Sequence, residues 1–402
     1  VSAGPRPPGT GEPLPAAADT GLSLVRDDVL FRVQRAIGLI PRQGLGLLRR
    51  TAFYVAVAWL PLAAWAVWTR RALPGDIAEP LLAHYAIHAQ LLLCLPVLIL
   101  GEGFAHGITT RLVPQFVVSG VVRETDVGRF REVVQGLARL RSSGVPWLVI
   151  AVLVLVWFFV PRSLIPLHEL TWAESGAQVG WGFGGWWYVY VSRPIFQIFA
   201  FAWLWRVVLL AVLFRRIARL DLQLAPCHPD RTGGLGFTAD FPRMFAPLAF
   251  ASSTLLSARW AHEVVYHGAH VKSYATLAAV FAGTLLIVCL APLLLFAPRL
   301  AQVRRRALLD YGALVGEHGR LVHRRWIARE AMSQPPLLAA PEIGPSADVA
   351  ALYQAVERMR TLPLGKSVIA TLAMAVAIPL ACLFAIEIPV GEMLGKILKG
   401  LL

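Results

Sequence analysis

The side chains of this chain best suited to chemistry sit where a bilayer would make them costly. His84, His88, Glu102 and His106 lie in or near one apolar run, roughly 82–107, which is long enough to cross a membrane. At 100° per residue, with His84 at zero, His88 falls at about 40°, Glu102 at about 0° and His106 at about 40°, so one stripe carries all four. Leu91, Leu95, Leu98 and Ile99 fill the middle of that stripe, and Pro96 kinks it. Ionisable groups within a span are functional candidates by default. The structural alternative puts His84 and His88 among the headgroups and pairs Glu102 inside the bundle. Arg206 lies in a later span at about the same depth as Glu102, roughly 13 Å from the inner end. An unpaired charge there is expensive, so a Glu102–Arg206 pair is expected. Glu102, His106, Arg206 and His88 are thus the candidate buried polar or transport residues.

Two further constellations stand out. The run His262-Glu263-Val264-Val265-Tyr266-His267-Gly268-Ala269-His270 is rich in metal-ligand types. It is not the His-Glu-x-x-His zinc motif, because His267 is one position too far from His262 to share its helix face. His267 and His270 have helical i, i+3 spacing. His84, His262, His267 and His270 are the candidate metal ligands, with His168, Glu169, Glu174 and Glu263 nearby in sequence; imidazole plus carboxylate suits zinc, iron or copper. The alternative is a set of interfacial histidines with no common centre. The second constellation is the loop Cys227-His228-Pro229-Asp230-Arg231-Thr232-Gly233-Gly234-Leu235-Gly236. His-Pro-Asp also marks J-domains, but those need a small helical bundle that this context lacks, and no Gly-Lys-Ser/Thr makes it a Walker A loop. Pro229-Asp230 favours a turn. Successive amides near Gly233 and Gly234, beside His228, Asp230 and Arg231, could form an anion nest.

The elements that must position these groups are read as helices. Hydrophobic residues make up 57% of the 402 residues and charged ones only 15%, and mean hydropathy is +0.61, which excludes a soluble fold. The expectation is an all-α polytopic membrane bundle of about seven transmembrane helices, with interfacial and cytoplasmic amphipathic helices. Residues 1–20 read as a disordered tail and 21–50 as an amphipathic interfacial helix with Arg32, Arg35, Arg42, Arg49 and Arg50 at the headgroups. Spans are expected at about 51–68, 82–107, 146–160, 185–214, 243–256 and 274–296. The fifth is interrupted by Pro247, Ser252 and Ser253 and reads as short or broken. A surface helix runs from Asp126 to about Arg141. Residues 299–365 form a cytoplasmic helical segment able to meet a protein partner. Residues 366–402 hold the last span and an amphipathic end with Lys396 and Lys399.

Net charge +14 would suggest nucleic acid in a soluble protein. Here it follows from the positive-inside bias, and no nucleic-acid partner is expected. With the N-terminus inside, 29 of the 38 Lys and Arg fall on the cytoplasmic side and 8 on the other. This bias supports seven spans and a cytoplasmic membrane location, with the His84 and His262 regions facing outward. The four cysteines are scattered and support neither a disulfide framework nor a zinc ribbon.

The segments 31–38, Trp59-Leu60-Pro61-Leu62, 85–102, 115–121, 228–236 and 389–402 together resemble a bacterial family of hypothetical multi-pass membrane proteins. The resemblance covers almost the whole chain beyond the first twenty residues. It implies a polytopic membrane protein and carries over no activity, ligand or site. Function is therefore weighed from the residues: a channel or transporter for ions or small solutes first, which would use the striped span. A membrane-embedded metalloprotein with an outer-face histidine site comes next, and then a non-catalytic scaffold or accessory subunit, as monomer or homo-oligomer.

Overall fold

The computed structural model describes residues 21–73, 79–156, 172–173, 181–329 and 344–386. The expected tail 1–20, residues 330–343 of the expected cytoplasmic segment and the amphipathic end 387–402 lie outside the described residues. What is described is all-helical, with an isolated bridge between Val122 and Leu222 and no sheet among the described residues. In chain order the helices are α1 (Val29–Ala36), α2 (Leu47–Trp68), α3 (Tyr85–Val118), α4 (Val127–Ser142), α5 (Gly144–Val156) and α6 (Phe183–Ile217). They continue with α7 (Ala246–His267), α8 (Ala275–Leu290), α9 (Ala297–Val322), α10 (Gly344–Glu357) and α11 (Lys366–Ala385). Six helical stretches are long and apolar enough to cross a membrane: α2, α3, Glu124–Val156, α6, Val271–Val322 and α11.

Helix α7 is not one of these six by length and composition. It is not short or broken: its 22 residues give about 33 Å at 1.5 Å per residue. Its first turn places Pro247 against Gly101 of α3, where a Cβ on the glycine would meet Pro247 Cβ at 2.5 Å. Its last turns bring His262 to His84, just before α3 begins, with ring centroids 4.9 Å apart. Helix α7 is therefore an antiparallel neighbour of the first half of α3, from His84 to Gly101. The small polar residues that lower its hydropathy face protein. Ser253 Oγ donates to Val376 O of α11 at 2.7 Å, and the Ala251 carbonyl accepts from Cys94 Sγ. A polar helix is tolerated in a membrane when its neighbours satisfy it.

Two of the long helices widen at matching places. A π turn occupies Ala89–Cys94 in α3, just before Pro96, and another occupies Tyr188–Ser192 in α6, just before Pro194. A proline removes one amide and its ring presses on the carbonyl four residues back, here Leu92 and Tyr190, which lie inside the two π turns. The turns face each other: Tyr188 Oη donates to Gln90 Oε1 at 2.9 Å.

The segment before α2 packs into the bundle instead of lying on its surface. Leu22, Leu24, Val25 and Phe31 are buried. The Asp28 carboxylate caps α1 through Phe31 N at 2.6 Å. Ser23 is held by His106 Nδ1 at 2.8 Å, and its carbonyl accepts from Arg141. Only Val29–Ala36 of the expected 21–50 helix is helical before α2 begins at Leu47; Gly38, Gly44 and Gly46 at positive φ turn the chain between them. Beyond the spans, α10 packs back along α9, with Arg304 Nη2 donating to Glu357 O.

Candidate metal centre and buried charge network

Two different polar sites lie along α3, one at its middle and one at its start. At mid-helix, both carboxylate oxygens of Glu102 are engaged. Arg206 Nη2 of α6 lies 2.6 Å from Oε1, and Arg50 Nη2 of α2 lies 2.6 Å from Oε2. All three residues are 1% exposed. The expected Glu102–Arg206 pair is present. Arg50, expected at the headgroups, is its second partner. Arg206 also stacks on Trp203, with 4.9 Å from its Cζ to the ring centroid, and Trp203 Nε1 donates to Leu98 O. Asp28 completes the network, with Oδ2 3.8 Å from Arg206 Nη2. Burial pushes its carboxyl up to about 6; Arg206 opposes the rise and Glu102 adds to it. Two carboxylates thus face two guanidiniums among closely packed groups.

The stripe along α3 does not continue to its start. Leu91, Leu95, Leu98 and Ile99 are at most 1% exposed, packed as core. The π turn adds about one residue to its helical turn, which rotates the residues before it by roughly 100°. His88 accordingly faces α2, accepting from Trp59 Nε1 at 3.1 Å and donating through Nε2 to Leu81 O at 3.0 Å. With one nitrogen accepting and one donating, it is a neutral structural imidazole. His106 holds Ser23.

Just before α3 starts, Glu79, His262 and His267 converge, each offering a ligand atom within 4.8 Å of the others. His262 Nε2 is 3.5 Å from Glu79 Oε2, and His267 Nε2 is 3.6 Å from Glu79 Oε1. Donors about 2.1 Å from a tetrahedral ion stand about 3.4 Å apart, close to these two separations, and one ligand atom from each of the three residues lies within 4.8 Å of the others. The His262 tautomer fits as well. Its Nδ1 faces the Ala83 carbonyl at 3.1 Å, which fixes the proton there and leaves the Nε2 lone pair toward Glu79. The angular argument that separates His262 from His267 holds for a continuing helix. Here His267 is the last residue of α7, Gly268 turns the chain at φ 67°, and the two ring centroids come to 5.5 Å.

Two of the four expected metal ligands are in the cluster and two are not. His84 stacks on His262 at 4.9 Å and supports it. His270 does not form a helical pair with His267; it precedes the turn Val271–Tyr274, its carbonyl accepting from Ser273 Oγ. His168, Glu169 and Glu174 lie outside the described residues. Glu79 is the ligand sequence reasoning missed. The available signal was its place: Glu79-Pro80 sits just before the span whose start carries His84.

A cavity of about 270 Å³ opens beside this cluster, and His84 and His262 line it. Gln90 and Tyr188 from the two π turns line it too, with Arg193, Gln197, Arg259 and Glu263.

The Cys227–Gly236 loop uses its amides internally. Asp230 accepts from Thr232 N at 2.7 Å, Gly234 N at 3.2 Å and Gly236 N at 2.7 Å, and His228 Nδ1 lies 2.9 Å from its Oδ1. The anion in this nest is the loop's own aspartate. Burial raises the Asp230 carboxyl, and the three amides outweigh that, holding it below the usual carboxylate value. Arg231, Gly233 and Gly234 all take positive φ, and the Arg231 carbonyl accepts from Arg360 N at 2.7 Å, which ties the loop to the segment before α11.

Comparison of the chain with family models, with curated proteins and with solved structures finds no match, so no family, bacterial or other, is established for it.

Proposed function

We propose that this protein is a membrane-embedded metalloprotein that binds a divalent transition metal at Glu79, His262 and His267. The observation that carries the reading is the convergence of two imidazoles on the two oxygens of one carboxylate at 3.5 and 3.6 Å, with His262 oriented through its other nitrogen by a backbone carbonyl. Two nitrogens and a carboxylate suit zinc, and iron or copper next. Three protein donors leave one tetrahedral position for an outside ligand, where a bound ion acts as a Lewis acid. The distribution of Lys and Arg, 29 to 8, supports a cytoplasmic N-terminus and hence a site on the outer face. Transport along α3 is less favoured, because Glu102 is held by two arginines and the residues between the two sites are packed.

The test is elemental mass spectrometry of the detergent-purified chain after dialysis against each ion. About one metal per chain is expected, lost in Glu79→Gln and His262→Ala and kept in His270→Ala. A wild-type protein that retains no ion from any dialysis refutes the reading.

A further inference from the structure

The end of α6 opposite its π turn carries a cleft lined with arginines. Helix α6 closes at Ile217, and the 3₁₀ turn Ala291–Phe296 that leads from α8 into α9 packs beside it, with the Phe214 and Phe296 ring centroids 5.0 Å apart. Between them opens a cleft of about 420 Å³, lined by Arg215, Ala218, Arg219, Leu295, Pro298 and Arg299. It has room for about fourteen waters at about 30 Å³ each, enough for a phosphodiester and its glycerol. Three guanidiniums line it, and none of the described carboxylates does. Arg215 and Arg219 are exposed and one helical turn apart, and like charges at that spacing repel. Arg299 adds the third cation. Its Nε donates to Ala218 O and its Nη2 to Leu220 O, both at 3.3 Å, which holds it beside Arg219. The acid nearest in sequence, Asp221, faces Arg123 at 3.3 Å. The negative end of the α6 dipole accounts for cations at its last turn, but not for a recess between two helices.

The cleft also continues a lipid-facing stripe. At about 100° per residue, with Leu204 at zero, Val208 falls at about 40°, Arg215 at about 20° and Arg219 at about 60°. Leu204 is 43% and Val208 46% exposed, on a helix apolar enough to span a membrane. Leu204 lies about 16 Å from Arg215 along the axis, close to the roughly 15 Å of hydrocarbon in one leaflet. We infer that the cleft holds the headgroup of an anionic phospholipid, its phosphate among the three arginines and an acyl chain along Val208 and Leu204. Guanidinium forks match phosphate oxygens, and basic recesses between spans on the cytoplasmic side suit anionic headgroups. The Lys and Arg distribution, 29 to 8, supports that side for this end of α6. A phosphocholine headgroup fits less well, because its cation would join three others with no acid to meet it. A soluble phosphate makes no use of the apolar stripe.

Native mass spectrometry of the full-length detergent-purified chain tests this, after mixing with equal amounts of dioleoyl phosphatidylglycerol and dioleoyl phosphatidylcholine. The phosphatidylglycerol is expected to be retained at least tenfold over the phosphatidylcholine. The double variant Arg215→Gln, Arg219→Gln, at two exposed positions, is expected to lose that preference. Arg299 stays in place because it also holds the end of α6. The double variant Arg305→Gln, Arg306→Gln removes the same charge from exposed positions outside the cleft and is expected to keep the preference. Equal retention of the two lipids by the wild type overturns the inference. So does a preference that survives the loss of Arg215 and Arg219, or one lost as fully with Arg305 and Arg306. Displacement of the bound lipid by an equimolar amount of inorganic phosphate overturns it too, because the site would then belong to a soluble anion.

Discussion

Replacing Glu102 by glutamine keeps the volume of the side chain and removes the one anion that two buried arginines share. In the wild type each carboxylate oxygen meets a guanidinium nitrogen at 2.6 Å, and all three residues are 1% exposed. In Glu102→Gln one oxygen becomes an NH₂ group that faces a donor, and among the described residues Arg50 and Arg206 are left with Asp28 as counter-charge, 3.8 Å from Arg206. Breaking a buried pair from one side costs about 3–5 kcal/mol, and two cations lose their partner here, so the upper half of that range is expected. Arg50→Gln should cost less, about 1.5–3 kcal/mol, the worth of one charge-assisted hydrogen bond, because Arg206 still neutralises Glu102. Reversible unfolding in mixed micelles with increasing dodecyl sulfate, followed by tryptophan fluorescence, gives both values. A Glu102→Gln loss below 1 kcal/mol, or a larger loss for Arg50→Gln, would refute the account of this network as a shared-anion anchor.

Two further outcomes follow from the same bundle. Asp28 is protonated more readily in the folded chain, at about 6 against 3.8, so the fold binds more protons than the unfolded chain between those values. The contribution of Asp28 to stability should be full below pH 4 and fall as pH rises to 6, by at most about 3 kcal/mol at 1.36 kcal/mol per pH unit. Asp28→Asn, which retains the cap on α1, should flatten that window relative to wild type; an unchanged slope would exclude Asp28 as its source. Gly101→Ala places a Cβ 2.5 Å from Pro247 Cβ and 3.1 Å from Trp203 Cζ2, so α3 and α7 must part. An overpacking cost of about 1–3 kcal/mol is expected in the same unfolding assay, and no measurable loss would mean that the two helices approach less closely.

The parts of this molecule that could be read in the sequence are those that depend on depth and hydropathy. The expected spans 82–107 and 185–214 place Glu102 and Arg206 at a similar depth, which is enough to pair them, although the helices run on to Val118 and Ile217. Arg50 was misplaced because a basic residue at the start of a span ordinarily marks a headgroup; only the packing of residues 21–45 beneath the bundle encloses it. The π turns were hidden for a different reason. Pro96 announces a kink, but whether the helix bends, tightens or widens depends on its neighbours, and widening is what turns His88 away from the face of Glu102. The metal cluster needed the end of α7 at His267 and a loop residue, Glu79, neither of which any helical periodicity reports. Helix α7 itself looked broken because Ser252, Ser253 and Pro247 lower its hydropathy, although the adjacent helices supply what those residues need.

The order of the four charges around Glu102 bears on how such a chain is made. Along the sequence they run Asp28, Arg50, Glu102, Arg206, so their signs alternate. With each counted as ionised, the running total as synthesis proceeds is never more than one elementary charge from zero. Arg50 enters the bilayer on the first long helix, and the next helix brings its counter-ion, so the first hairpin can be inserted with its deepest charges already matched. Arg206 arrives two helices later to a carboxylate with a free oxygen facing the gap it will fill. A chain with the same four groups in another order, both arginines first, would have to hold two uncompensated cations in the insertion machinery until the acids followed.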